Sequence, residues 1–151
     1  MNKIKLIDHN QLEQALHLVL GVYDEFVGGT SSKQGNTSFY EYCNLEKVRK
    51  QIENKEMIMW GYYQDELIGV TALIKEHVGL LFVNKQYHNQ GIGRALLEVA
   101  KKQCIVDGYQ EISINALPYA VDIYHHIGFV DTDKIQNKDG IVYTPMRMFL
   151  M

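Results

Sequence analysis

A pair of glycines between an apolar run and an amphipathic helix constrains this chain most. The apolar run ends at Val83, the glycines are Gly91 and Gly93, and an apolar stripe of helical spacing follows from Ala95 to Cys104. Glycine lets the backbone turn tightly at a helix start, where the first N–H groups lack partners within the helix. The helix dipole adds partial positive charge there, so the segment predicts a site for a phosphate group.

Three kinds of phosphate loop contain such glycines, and the flanking residues separate them. A P-loop requires Lys and then Ser or Thr after its last glycine, whereas Gly93 is followed by Arg94 and Ala95. A dinucleotide-binding fingerprint requires a third glycine where Leu96 stands, and an early βαβ unit. A loop for the pyrophosphate of a coenzyme remains, beside the alternative of a plain helix start with flexible glycines.

The periodicity of the apolar residues outlines the other elements. It predicts a strand over residues 3–7, then a helix capped by Asp8, then a loop over residues 28–36 and a second helix over residues 38–54. Further strands are predicted for residues 57–63, 67–75, 78–83, 111–116, 129–133 and 141–150, and helices for residues 94–106 and 118–127. The first three of these strands are close in sequence, which favours an antiparallel meander. This order predicts an α/β or α+β fold with a mixed sheet.

Size and composition exclude several classes of protein. The chain has 151 residues, 46% of them hydrophobic, so residues 1–151 are expected to form a single domain. A net charge of −3 lacks the basic excess of a nucleic-acid-binding protein. No apolar run is long enough for a signal peptide or a membrane helix, so no membrane contact and a cytoplasmic location are expected. Cys43 and Cys104 form no C-x-x-C motif, and His125 and His126 diverge on a helix, so no metal is expected.

A second candidate motif follows the strand at residues 111–116. Asn115 lies at the end of that strand, and on the short helix after it Ala120, Tyr124 and Ile127 share one face. Tyr124 is therefore expected to lie against the sheet with its hydroxyl at an edge. A core tyrosine is one interpretation. The other is a proton donor, since a phenol with a pKa of about 10 matches a weakly basic thiolate leaving group.

Together the two motifs resemble the GNAT superfamily of acetyl-CoA-dependent N-acetyltransferases. The resemblance rests on residues 90–97, Gln-Gly-Ile-Gly-Arg-Ala-Leu-Leu, and on residues 120–129, which carry Tyr124 and a Gly-Phe pair. It covers residues 57–150 well. It implies a central, mostly antiparallel sheet of about seven strands flanked by helices. It also implies acetyl-CoA as cosubstrate, no metal, and direct attack of a primary amine on the thioester without a covalent nucleophile.

The resemblance implies roles for individual residues. Backbone groups of the strand ending Leu81, Phe82 and Val83 would hold the pantetheine arm, and a backbone N–H near Val83 would meet the oxyanion. The pyrophosphate would bind the amides of Asn89, Gln90, Gly91, Ile92, Gly93 and Arg94. Asn115 would contact the pantetheine where two strands separate. Tyr124 would be the general acid for the departing thiolate.

One position departs from the family pattern, and the pattern leaves the general base unassigned. His88 stands where the family usually has Gln or Arg. A histidine with a pKa of about 6.5 is mostly neutral at neutral pH, so weaker and pH-dependent coenzyme binding is expected. The amine must lose a proton before it attacks, and Glu76 and His77 are the candidate general bases. An ion pair of Glu76 with Lys75 is the alternative.

The acceptor and the assembly stay open. By resemblance, Tyr23, Asp24, Glu25 and residues 39–42 would wall the acceptor pocket, where aromatic and acidic groups suit an amine with an apolar body. A small-molecule amine is the expected partner. The alternatives are a protein or peptide acetyltransferase with an open groove, and a coenzyme A sensor without turnover. Residues 28–36 could be a mobile lid, and the last strand could pair in a homodimer.

Overall fold

The computed structural model describes residues 3–150, which form an eight-stranded sheet with helices on both faces. The strands are β1 (Ile4–Leu6), β2 (Ile58–Gln64), β3 (Glu66–Ile74), β4 (His77–Val83), β5 (Glu111–Ala116), β6 (Val130–Asp131), β7 (Gln136–Lys138) and β8 (Ile141–Phe149). The helices are α1 (Leu12–Tyr23), α2 (Lys33–Tyr42), α3 (Leu45–Glu53), α4 (Ile92–Val106) and α5 (Val121–Ile127). Met1, Asn2 and Met151, which the single-domain prediction includes, lie outside the described residues.

The sheet is mostly antiparallel and opens at one place. Its strand order is β1-β2-β3-β4-β5-β8-β6, with β7 also paired to β8. β2, β3 and β4 form the antiparallel meander that the sequence predicts. Among the described strands, only β4 and β5 run parallel, and they pair through His77 with Ser113 and Val78 with Ile114. Beyond these pairs the two strands separate, and we call this opening the fork.

A β-bulge in β4 lies beside the fork. Leu80 pairs with Ala72 of β3. Val78 pairs with Leu73, which leaves Gly79 as an extra residue on β4. Because of the extra residue, side chains two positions apart on β4 point to opposite faces of the sheet. Leu80 packs into the core on one face and Val78 into the core on the other.

Two hydrophobic cores lie on the two faces of the sheet. One core joins the sheet to α1, α2 and α3, and the other joins it to α4 and α5. In α4, Leu96, Ala100 and Cys104 of the predicted stripe are buried, together with Ile92 and Leu97, whereas Ala95 and Val99 of that stripe are only half-buried. Cys43 and Cys104 are buried free thiols, whose pKa values burial raises to about 12 and about 11. No helix within residues 3–150 is long and apolar enough to cross a membrane.

The structure corrects three sequence predictions. The helix predicted over residues 38–54 is two helices, because the Asn44 side chain accepts a hydrogen bond from the Lys47 N–H and starts α3 afresh. The loop predicted over residues 28–36 is mostly helical, since a π-helical turn covers Asp24–Gly28 and Ser32 caps α2. The region after α5 contains β7 as well as the two predicted strands, which gives eight strands instead of about seven.

Candidate active site

A cavity of about 540 Å³ spans the fork. Its walls come from both faces of the sheet: α2 and α3 on one side, α5 and the turn before it on the other, with β4, β5 and the β7–β8 hairpin between them. Aromatic rings form much of the lining, namely Phe39, Tyr42, Tyr119, Tyr124 and Tyr143. A cavity that opens to both faces can receive two ligands from opposite sides, with their reacting ends meeting in the fork.

The helix end predicted to bind a phosphate presents free backbone amides. The first hydrogen bond at the start of α4 runs from Ala95 N–H to the carbonyl of Gly91, at 3.0 Å. The N–H groups of Ile92, Gly93 and Arg94 therefore have no acceptor within the helix. Gly91 has a φ of +79°, which favours glycine, and a Cβ added there would meet no atom within 4 Å. The loop is thus open on the side where an anion would approach.

The His88 ring beside this loop is held by two contacts. Its Nε2 lies 2.6 Å from the backbone oxygen of Val83, to which it donates. The ring stacks on Phe26, and Phe26 stacks on Tyr119, with 5.1 Å between centroids in each pair. This three-ring stack connects the segment after β4 with the segment after β5. A phosphate contact through Nε2 would require His88 to leave Val83, so that role stays a prediction.

Tyr124 reaches the cavity from the α5 face. It is 7% exposed and packs edge to face against Phe129. Within residues 3–150, its hydroxyl has no hydrogen-bond partner. Burial raises its pKa above the ordinary value of 10.0, and Tyr119 acts in the same direction. The phenol therefore stays protonated at any working pH. A neutral phenol in this position can donate a hydrogen bond, and then its proton, to a group in the cavity.

His77 reaches the cavity from the first residue of β4. Its Nδ1 lies 2.8 Å from Oγ of Ser113. Burial lowers the pKa of His77 from 6.5, and Glu76 opposes this with a smaller effect. The ring is therefore neutral at neutral pH and able to accept a proton. Glu76, the other candidate base, does not line the cavity, and within the described part of the chain it forms no ion pair with Lys75.

A close contact between α2 and the β7–β8 hairpin bounds the cavity on one side; we call it the α2–hairpin contact. A Cβ added to Gly35 would lie 2.3 Å from the carbonyl oxygen of Gly140, so two backbones meet there. Ser38 Oγ donates to the carbonyl of Asp139 at 2.8 Å, and Ser32 Oγ to that of Gly140 at 3.4 Å. These bonds join elements that are about a hundred residues apart in sequence.

The rim of the cavity carries charges of both signs. Glu41 and Lys47 come from α2 and α3, and Lys138 and Asp139 come from the hairpin. Deeper in, the hydroxyl of Tyr42 donates to the carbonyl of the bulge residue Gly79 at 3.3 Å. Burial raises the pKa of Tyr42 to about 12, so this phenol also stays neutral.

The structure brings together most residues that the sequence singled out. The lining includes Leu81, Phe82, Asn115, Tyr124 and His77. Val83, His88, Asn89, Gln90 and Gly91, Ile92, Gly93 and Arg94 follow at the end of β4 and the start of α4. Of the expected acceptor wall, Phe39, Glu41 and Tyr42 line this cavity, whereas Tyr23, Asp24, Glu25 and Tyr40 do not. Asp24 instead accepts a hydrogen bond from Tyr40, and Glu25 pairs with Lys85.

Several residues of the site carry no signal that sequence reasoning used. Ser113, Tyr119 and Lys47 are ordinary strand or helix residues by pattern. The hairpin residues Lys138 to Tyr143 reach the site only because β8 pairs with β5, a long-range pairing. Alternation along β5 could have found Ser113, since its neighbours Ile112 and Ile114 are apolar and must face the other way.

Comparison with known proteins places this chain in one class of enzyme. The family model described as "Acetyltransferase (GNAT) domain" matches residues 27–150. The chain therefore belongs to the GNAT acetyltransferase family and is an acyltransferase. The resemblance drawn from the glycine pair and Tyr124 is confirmed at the level of the family, and so is the fold.

Solved structures of low sequence identity have the same fold. The PaiA N-acetyltransferase from Thermoplasma acidophilum, in complex with coenzyme A, has a TM-score of 0.79 and 21% identity, over 99% of this chain and 100% of that one. A GNAT-family acetyltransferase from Staphylococcus aureus has a TM-score of 0.78 and 16% identity, over 98% of each chain. An aminoglycoside 6'-N-acetyltransferase complexed with coenzyme A has a TM-score of 0.68 and 13% identity, over 98% and 97%.

Proposed function

We propose that this protein transfers the acetyl group of acetyl-CoA to the primary amine of a small molecule, by direct attack within a ternary complex. The observation that carries the proposal is the cavity through the fork. It has a neutral imidazole, His77, on β4 and a buried phenol, Tyr124, on α5. Free amides at the start of α4 lie beyond the end of β4. These groups support the roles of base, acid and phosphate site in one reaction.

The residues present fit acetyl-CoA. The amides of Ile92, Gly93 and Arg94 suit its pyrophosphate, because they are unpaired within the helix and the helix dipole favours an anion there. The separated edges of β4 and β5 leave backbone groups of Leu81 and Asn115 beside the cavity for the pantetheine arm. The complexes of the Thermoplasma and aminoglycoside enzymes with coenzyme A support this assignment. When bound, acetyl-CoA supplies an activated acetyl thioester.

The chain's own groups perform the proton transfers. His77 Nε2 accepts a proton from the acceptor amine, which gives the nitrogen its lone pair for attack. Tyr124 donates its hydroxyl proton to the sulfur that leaves, and before that it donates a hydrogen bond to it. The amine attacks the thioester directly, so the reaction needs no nucleophilic side chain. The thiols of Cys43 and Cys104 are not available for such a role, because they are buried and hold their protons.

The shape of the acceptor end favours a small molecule over a folded protein. The α2–hairpin contact bounds the cavity, and a peptide chain lying across the site would have to part Gly35 from Gly140. The mixed charges of the rim, Glu41 and Asp139 with Lys47 and Lys138, favour an acceptor that carries both a cationic and an anionic or polar group. The aromatic walls suit an apolar body between them.

A thiol-release assay with acetyl-CoA against a panel of amines and peptides tests the proposal. Calorimetric titration of coenzyme A should run beside it. We expect saturable coenzyme binding and turnover with a class of small amines, and no turnover with lysine-containing peptides. Turnover with peptides alone would overturn the acceptor assignment. Tight binding without turnover of any amine would favour the sensor alternative.

A further inference from the structure

We propose that Ser113 is a positioning residue for the reaction: its Oγ holds His77 in the tautomer whose Nε2 faces the cavity as a proton acceptor. This inference rests on the proposed function, because it assigns a partner to the proposed base. Ser113 lies on β5, outside the lining of the cavity, and belongs to neither the coenzyme loop nor the acceptor wall.

The backbone fixes Ser113 opposite His77. The two residues are register partners in the parallel pair of β4 and β5, at the closed end of the fork. The N–H of Ser113 donates to the carbonyl of Glu76 at 2.9 Å, which ties the two strands together beside His77. The distance from Oγ to Nδ1, 2.8 Å, is that of a good hydrogen bond.

The faces of the strands direct both side chains to the same side of the sheet. Ile112 and Ile114 pack in the core with α4, so Ser113 between them points to the opposite face. Val78 also packs in that core, so His77 before it points to the face of α2 and α3. Ser113 therefore lies beside His77 on the same face of the sheet, and of the two only His77 lines the cavity.

The tautomer decides whether His77 can act as a base. If Nδ1 carries the proton and donates to Ser113, the lone pair of Nε2 is free to accept a proton from the amine. If Ser113 donates instead, Nε2 carries the proton and cannot accept another. Only the first arrangement suits the reaction. It also keeps its hydrogen bond when the ring becomes charged, because Nδ1–H donates in both states.

Several charged and titratable groups lie around the cavity that the His77 ring faces. Glu76 precedes His77 in the turn between β3 and β4 and is partly buried. From α2 and α3, the cavity receives Glu41, Tyr42 and Lys47. From the other elements it receives Tyr119, Tyr124, Lys138, Asp139 and Tyr143. Arg147 of β8 is the register partner of Ser113 on the side opposite His77, and it pairs with Glu111. Within residues 3–150, Ser113 is the group that forms a hydrogen bond with the imidazole.

The step is balanced in atoms and electrons. One proton of the ammonium first passes through Nε2 of His77 to solvent, which leaves a neutral amine. The amine nitrogen then forms a bond to the acetyl carbon while a second proton moves to Nε2. The bond from that carbon to sulfur breaks, and the sulfur takes the electron pair and the hydroxyl proton of Tyr124. Water then carries the proton from His77 to the phenolate, so that both residues return to their starting states. Ser113 gains and loses nothing: it holds Nδ1–H throughout.

Ser113→Ala and Ser113→Thr, each with and without His77→Gln, test the inference in full-length protein. We expect Ser113→Ala to lower kcat about tenfold, the smaller end of the loss seen when the partner that orients a histidine is removed. The acid limb of the kcat profile should also move to lower pH, because the imidazolium loses an acceptor. Coenzyme A affinity should be unchanged. Ser113→Thr keeps the hydroxyl and should restore both quantities. In the His77→Gln background, Ser113→Ala should have no further effect.

Nitrogen-15 NMR of the His77 ring gives a readout that does not depend on turnover. The expected spectrum at neutral pH shows a protonated Nδ1 and an unprotonated Nε2, and Ser113→Ala should mix the two tautomers. A proton on Nε2 in the unmodified protein would overturn the inference. An equal loss of kcat from Ser113→Ala in the wild-type and His77→Gln backgrounds would also overturn it. If no amine is acetylated, the proposed function fails, and the NMR spectrum still reports on the Ser113 bond.

Discussion

The proposed coenzyme end and the proposed acceptor end of the site are built in different ways. The proposed coenzyme end consists of backbone groups, mostly from the end of β4 and the start of α4, with Asn115 of β5 beside them. The acceptor end consists of side chains from α2, α3, β4 and the β7–β8 hairpin, which are distant in sequence. A site made of backbone amides tolerates changes of side chain, whereas a site made of side chains changes its ligand with each substitution. The first end can therefore stay constant while the second is free to vary in its choice of amine.

The largest effect is expected from His77→Gln. Glutamine keeps much of the size and polarity but cannot accept a proton, so kcat should fall at least about a hundredfold, the usual minimum for a lost general base. Coenzyme A affinity, measured by calorimetry, should not change, because His77 lies at the acceptor end. A parallel loss of coenzyme affinity would show that the two ends are not separate.

Tyr124→Phe tests the acid on the opposite face. The hydroxyl has no partner within the described residues, so its removal should not destabilise the fold, and thermal unfolding checks this. We expect kcat to fall about tenfold or more, because the leaving sulfur loses its proton donor. Coenzyme A affinity should change little. An unchanged kcat would remove Tyr124 from the chemistry.

Gly35→Ala should act on the acceptor end alone. The new Cβ would lie 2.3 Å from the backbone oxygen of Gly140, so the hairpin must move away from α2. We expect the KM for the amine to rise several-fold and coenzyme A affinity to stay the same. Overpacking at such a contact costs about 1–3 kcal/mol of stability. Gly21→Ala is the matched control, because a Cβ there meets nothing within 4 Å. A KM equal to that of Gly21→Ala would contradict the role of the α2–hairpin contact.

Gly91→Ala should act on the coenzyme end alone, with the smallest effect. A left-handed conformation costs a residue with a Cβ about 1 kcal/mol, so the loop should relax when no coenzyme is bound. Coenzyme A affinity should fall about fivefold, which is that energy expressed as a ratio. The kcat measured with saturating substrates should not change. An unchanged affinity would mean that the amides of α4 are not held in place by Gly91.

The same difference explains what the sequence could predict. Gly91, Gly93 and the stripe of α4 are neighbours along the chain, so their pattern alone indicates a phosphate loop, and Tyr124 follows at a family spacing. Seven of the eight strands, most of α4 and the family were predicted correctly. Features that depend on residues close together along the chain can be predicted from the sequence.

The residues of the acceptor end could not be predicted in the same way. Lys138 and Tyr143 reach the cavity through the pairing of β8 with β5, and Gly35 meets Gly140 through packing of α2 on the hairpin. Neither contact has a periodic signature. The division of residues 38–54 into two helices was missed because the apolar stripe continues through Asn44, whose capping role depends on one hydrogen bond.

The fork also affects how the protein unfolds. Because two register pairs join β4 to β5, little backbone hydrogen bonding ties the β1–β4 half of the sheet to the half containing β5 and β8. Cooperative unfolding must then depend on α4, whose buried side contacts β3, β4 and β5 together. Native-state hydrogen exchange should divide the sheet into two foldons, with amides at the closed end of the fork exchanging through the less stable of them. A bound ligand that spans the fork would merge these two units into one.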